Sequence, residues 1–180
     1  DSYEERFDFV FHLSNAQVVE YVGTARGRLL ESTRLDKEKV AADIQRQLAD
    51  RGVADTSVRA EEAGVTLALE NIQFEPNSAI LLAAEKAKLR AIGEILSRYA
   101  DRDLAVSGHT ARVGGYTDEQ HQELSELRAQ AVADYLLSIG AARATQLTAR
   151  GYGYRRPQAD NYTEKGRSTN RRVEITILEN

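Results

Sequence analysis

From Val65 onward the apolar residues switch between the period of a strand and the period of a helix, and this alternation limits the fold more than any other feature. Val65, Leu67 and Leu69 share one face of a strand, and Leu82, Leu89, Ile92, Leu96 and Tyr99 then form a stripe along a helix reaching about Tyr99. Residues 103–107 read as a short buried strand leading to Gly108. Leu124, Leu127, Ala131, Tyr135, Leu136 and Ile139 mark a longer helix that stops at Gly140. Residues 147–152 and 170–178 are two more strands, the last with Val173, Ile175 and Ile177 facing one way. The order β-α-β-α-β-β predicts an α/β two-layer sandwich, with two helices against one sheet.

The chain upstream of this unit reads differently. Phe7, Phe9, Phe11 and Leu13 alternate as in a half-buried strand, and residues 18–22 suggest a second one. His12 falls on the face opposite the phenylalanines and is read as a solvated strand residue without a role. Asp36 is a plausible N-cap for a helix carrying Val40, Ile44 and Leu48, and Gly52 suits its left-handed end. Residues 56–60 and 65–69 look like strands joined by a short glycine-containing loop, and Pro76 with Asn77 breaks the chain after Phe74. The expected organisation is a small α+β domain of no recognised type over residues 1–60, with its boundary between Gly52 and Gly64. The α/β sandwich follows over residues 61–180.

Composition narrows the chemistry. A net charge of -4 disfavours a nucleic-acid partner, since phosphate binding wants a basic surface. With no cysteine in the chain, disulfides, thiolate catalysis and cysteine-ligated metals are excluded. No apolar run approaches the roughly 20 residues of a membrane-spanning helix. The chain contains no methionine and opens at Asp1, so the reading expects a processed or truncated piece with any signal or lipid anchor upstream. There is no nucleophile elbow, no recognisable acid pair and no phosphate loop, so no enzyme activity and no cofactor are expected.

Several short motifs occur in a fixed order along residues 65–177. They are Ile72-Gln73-Phe74 with Ser78-Ala79, Gly108-His109-Thr110, and Leu124-Ser125 with Arg128-Ala129. Gly151-Tyr152-Gly153 follows, then Gly166-Arg167 and Asn170-Arg171-Arg172-Val173-Glu174-Ile175. Together they resemble the OmpA-like carboxy-terminal domain, the peptidoglycan-binding module of many Gram-negative envelope proteins. The resemblance implies a ligand site for the diamino acid of the peptidoglycan stem peptide, in which a motif aspartate pairs with the ammonium and a helix arginine with a carboxylate. Arg128 stands at the arginine position, where a guanidinium fork matches a carboxylate bidentately. Phe74, Thr110, Leu124 and Arg171 are the implied lining. His109 is read as structural, and Asn170 with its arginines as fixing the last loop.

The motif aspartate is missing: where the family reads Gly-His-Thr-Asp, this chain has Ala111. A methyl group accepts no hydrogen bond, and truncating one member of a charged recognition pair costs about 2–5 kcal/mol. Ala111 and Arg128 are also two positions further apart than the family pattern has them, and Gln120-His121 replaces the usual Tyr-Asn pair. Asp118 could supply a substitute carboxylate, although an acid there is already explained by a helix start. Arg112 would instead favour an anion. Arg128 could equally pair with Glu123 or Asp118 and bind nothing. His109, His121 and Asp118 have no recognisable metal-ligand spacing.

The expectation is therefore a non-enzymatic periplasmic protein associated with the outer membrane. Its binding to the peptidoglycan stem peptide would be weakened or lost, and an envelope protein could be met through residues 1–60. The alternatives are a structural or protein-interaction module with no peptidoglycan ligand, or a binder of a simple anion at Arg128.

Overall fold

A computed structural model of the chain describes residues 35–75 and 78–179. The strands expected at 7–13 and 18–22, His12, and the break at Pro76-Asn77 lie outside the described residues. Residues 36–179 form one compact unit.

Helix α1 (Lys37–Asp50) begins where Asp36 caps it, the carboxylate accepting from the Lys39 backbone N–H at 3.1 Å. It buries Ile44 and Leu48 and ends before Gly52, whose φ of 65° favours a residue without a side chain. Strand β1 (Thr56–Glu61) pairs antiparallel with β2 (Gly64–Glu70), Glu61 opposite Gly64 across a two-residue loop. Then come α2 (Ala83–Leu96), β3 (Leu104–Gly108), α3 (Asp118–Ser138), β4 (Leu147–Gly151), α4 (Glu164–Asn170) and β5 (Arg172–Leu178).

The five strands form one sheet in the order β1-β2-β5-β3-β4. Only β3 and β4 run parallel, and α3 is the crossover that a parallel pair requires. β5, last in sequence, is inserted between β2 and β3 and is antiparallel to both. The two-layer α/β architecture expected from the alternation is what the chain adopts.

The division expected near residue 60 is corrected. Helix α1 packs on β1 and β2, and β1 is the edge strand of the same sheet, so residues 36–60 belong to this unit. Strand β2 is buried from Gly64 to Leu69, including Thr66, because it has hydrogen-bonded neighbours on both edges. A strand pattern alone does not disclose that second neighbour.

The core face carries Leu67, Leu69, Val106, Ile175 and Ile177, all essentially inaccessible, against Leu89, Ile92, Ile95 and Leu136. The other face is polar. The hydroxyls of Thr66 and Thr176 lie 2.9 Å apart, and Glu174 accepts from Arg59 (3.2 Å), Arg172 (2.9 Å) and Gln158 (2.8 Å).

Two helix stripes also differ from the expectation. Leu127 is half-exposed at 51%, and the face α3 buries is Ser125, Ala129, Val132, Ala133 and Leu136. The reason is proximity: Gly108 and Gly151 let the helix backbone lie directly on the ends of β3 and β4, so only small residues fit between. Leu82 caps α2 rather than joining its buried face and stays exposed. The segment before β5, read as loop and strand, holds the short helix α4. Its Gly, Ser, Thr and Asn are weak helix formers, and the Thr163 side chain capping Gly166 N–H holds its start.

Candidate ligand-binding cleft

Strand β3 delivers the motif. Gly108 ends the strand, and the next residues continue hydrogen bonding: His109 N–H donates to the Arg172 carbonyl and Thr110 N–H to the Gly153 carbonyl, each at 2.9 Å. These bonds fix residues 109–111 between β5 and the turn after β4. Gly153, at φ 54°, makes that turn, whereas the need for glycine at Gly151 is close approach: a Cβ there would stand 2.4 Å from Glu126 N.

His109 and His121 have separate duties. The His109 ring stacks on Tyr152 at 5.5 Å and places Nε2 3.2 Å from Glu174. Burial lowers the His109 pKa, opposed by the Glu174 hydrogen bond, so a neutral imidazole donates to the carboxylate at neutral pH. Burial alone would raise Glu174, but the His109 hydrogen bond and the Arg172 guanidinium prevail and hold it at about 2. His109 is thus a strand-end fixture, as the motif implied. His121 Nδ1 lies 3.1 Å from the Thr110 hydroxyl, and its ring packs edge-on against Tyr154 at 5.1 Å. With Asp118 engaged by Tyr154, the three side chains weighed as metal ligands point to three different partners.

Helix α3 begins at Thr117, which forms a capping box with Gln120. One turn and two turns further, Leu124 and Arg128 reach a cleft of about 190 Å³. Its walls are Thr110, Ala111, Val113 and Tyr116 from the loop, His121, Leu124 and Arg128 from α3, and Arg171 from the start of β5. Ala111 is 3% exposed, so its methyl group is part of the wall itself. The sequence-derived pair of Ala111 and Arg128 is therefore brought together, with Thr110, Leu124 and Arg171.

Arg128 has a defined seat. Its guanidinium lies over the Phe74 ring at 4.8 Å, and Nε donates to the Ser78 carbonyl at 3.4 Å. Phe74 thus supports the arginine from beneath and is not itself part of the wall. No carboxylate forms an ion pair with Arg128 among the described residues, so the pairing with Glu123 or Asp118 is not made. Burial, and then the neighbouring Arg171 charge, lower its pKa, with Tyr116 opposing. Arg171 is itself held by Glu164, whose carboxyl is pulled below its usual range by that contact and by Arg167.

Asp118 and Arg112 do not reach the cleft. Tyr154 takes both: its hydroxyl donates to Asp118 at 2.6 Å, and the Arg112 guanidinium lies 5.2 Å over its ring. The Arg112 N–H donates to Asn161 Oδ1 at 3.0 Å. Asn161 is in turn held by Asn170, which is 1% exposed and also bonds Ala159 O and the N–H groups of Gln158 and Ala159. Val113, Tyr116 and His121 are the wall residues that sequence reasoning did not assign to the site. The first two sit in the loop before α3, where no periodicity reports on orientation. His121 carried one signal, its place in the altered pair before Leu124-Ser125.

Comparison with known proteins agrees with this geometry. The OmpA family model matches residues 73–171, which hold the whole cleft. Outer membrane porin F of Pseudomonas aeruginosa is 36% identical over 107 residues, 59% of this chain and 30% of that protein. The peptidoglycan-binding protein ArfA of Mycobacterium tuberculosis is 42% identical over 89 residues, 47% of this chain and 27% of its own length. The chain thus spans less than a third of each of these two relatives. Among solved structures, the cell wall anchor of the T6SS from Pseudomonas aeruginosa superposes with a TM-score of 0.64 at 30% identity, covering 75% of this chain and 96% of that one. A match over more than half of the residues, together with the shared fold, places this chain in the OmpA family.

Proposed function

We propose that this protein is a non-enzymatic domain of the bacterial cell envelope, periplasmic and associated with the outer membrane, whose contact with the peptidoglycan stem peptide is weakened or lost. The relatives support the setting: one is named as an outer-membrane porin, one as peptidoglycan-binding, and one solved structure as a cell wall anchor. The altered site rests on one observation. Ala111 and Arg128 line the same cleft, so a cation meant for a carboxylate is kept while the place of the ammonium's partner is a buried methyl group. In the sheltered cleft a ligand ammonium would lose its water and meet no acid, which is costly.

A non-catalytic role agrees with the chemistry present. The Thr110–His121 contact is the nearest approach to a nucleophile–base pair, but no carboxylate orients His121 among the described residues.

Cosedimentation with purified sacculi tests this reading on the chain, Arg128→Ala and Ala111→Asp. Weak or absent binding, strengthened by Ala111→Asp and diminished by Arg128→Ala, is expected. Tight binding by the unaltered chain that Arg128→Ala leaves unchanged would overturn it. Silence of all three would favour a protein-interaction module with no peptidoglycan ligand.

A further inference from the structure

We propose that the cleft binds the free carboxylate end of a peptidoglycan stem peptide, a ligand carrying no ammonium, in place of a zwitterionic diamino acid. This deepens the reading above, naming the weakened contact as one made to the carboxylate end alone, and rests on its peptidoglycan setting. The charge inventory carries the argument. Two guanidinium groups, Arg128 and Arg171, line one small cleft, and no acid lines it among the described residues. Arg171 is partly neutralised by Glu164, but among the described residues Arg128 has the Ser78 carbonyl and the Phe74 face and no carboxylate. Asp118 is engaged by Tyr154, and Glu123 is exposed on the adjoining surface beside Leu127. A half-buried guanidinium without a counter-charge has given up water without a matching gain, and a carboxylate restores that loss through charge-assisted bonds.

A second observation comes from His121. It lines the same cleft, is 3% exposed, and its buried Nε2 has no partner among the described residues. When the Thr110 hydroxyl donates to Nδ1, Nε2 carries the ring proton, so this ring offers no acceptor to a ligand ammonium. The two guanidinium groups of the cleft then suit an acceptor-only ligand.

The remaining wall says what the carboxylate is attached to. Ala111, Val113 and Leu124 offer methyl groups, which suit a small apolar side chain beside the carboxylate. The cleft's volume of about 190 Å³ lies below the roughly 300–1,000 Å³ of sites that enclose a whole small molecule. It fits the end of a longer chain. An alanine carboxylate at a peptide terminus has this size, charge and apolarity.

The test is titration of the whole chain with N-acetyl-D-alanyl-D-alanine, its carboxy-terminal amide, the L,L form and diaminopimelate, followed by NMR shifts at residues 110–128. Binding of the D,D carboxylate, a loss on the order of tenfold or more for the amide, and weaker binding of diaminopimelate are expected. Arg128→Gln should weaken the carboxylate on the order of thirty-fold, and Arg128→Lys less. Ala111→Asp should weaken the carboxylate and improve diaminopimelate. Equal binding of acid and amide, or no binding of either, overturns the proposal. Preference for the L,L form overturns the stem peptide as source and points to a protein terminus. Binding to sacculi that Arg128→Ala abolishes, with no response to the D,D carboxylate, would sink this inference alone. Binding of the D,D carboxylate with no retention on sacculi would count against peptidoglycan association while leaving the cleft's ligand class standing.

Discussion

Gly108 at the end of β3 lies so close to Ser125 of α3 that a Cβ on the glycine would stand 2.1 Å from the Ser125 backbone oxygen. The contact is between main chains, so neither side can yield by rotating a side chain. It sets the distance between the helix that carries Arg128 and the strand that delivers Thr110 and Ala111.

Gly108→Ala is therefore expected to destabilise the domain by about 1–3 kcal/mol through overpacking, or more where the helix cannot shift. Gly114→Ala is the control. No atom lies within 4 Å of its Cβ position and its φ is not positive, so a change within about 0.5 kcal/mol is expected. Urea denaturation of both variants provides the comparison, and equal midpoints would show that the helix is not held by this contact.

Acid should unfold the domain partly through Glu174. Its folded pKa of about 2 lies below the ordinary 4.5, so its contribution is fully present above pH 4.5 and is lost as pH falls towards 2. The shift corresponds to about 3 kcal/mol for a side chain that is 16% exposed. His109 acts in the same direction: its folded pKa is lowered from 6.5, so the unfolded chain takes up that proton first and stability begins to fall below pH 6.5. Glu174→Gln should lower stability at pH 7 and flatten its decline between pH 4.5 and 2. An unchanged acid limb in that variant would contradict the assignment.

Asn170→Ala removes four bonds around residues 158–161 and should cost about 2 kcal/mol, since some of the released N–H groups reach water. Hydrogen exchange gives the specific readout. The amides of Gln158 and Ala159 should lose protection more than the core amides of β5, and uniform loss across the domain would argue against a local role.

Ala111→Asp places an acid in the cleft wall and so tests the proposed change of the site. Affinity for a diaminopimelate-containing muropeptide should rise on the order of tenfold, short of the full value of a charged pair because Arg128 and Arg171 in the same cleft oppose an ammonium. Isothermal titration at two salt concentrations would check it. The gain should shrink at higher salt if the new carboxylate meets an ammonium.

How much of this was legible beforehand depends on distance along the chain. The strand of Val173, Ile175 and Ile177, the Asp36 cap, and the α3 stop before Gly140 were readable, because each is decided by neighbours within a turn or two. Arg128 and Ala111 were readable as one site only through motifs in order, since no local rule brings residues seventeen positions apart together. The buried face of α3 was misjudged: Leu127 looks like core by period, yet Ser125 and Ala129 are buried because two glycines elsewhere leave no room for larger side chains.

By itself the sequence determined the alternating layers and placed an uncharged alanine at position 111, since both are properties of residue type and local order. Tertiary structure alone decided three further matters. It inserted β5 between β2 and β3, added β1 to the sheet's edge and packed α1 on it, because strand partners are chosen by burial across the whole unit. It turned Asp118 and Arg112 towards Tyr154 and away from the cleft. It also left Arg128 over Phe74 beside Arg171 and His121, with no acid in the cleft wall, an arrangement that depends on elements far apart in the chain.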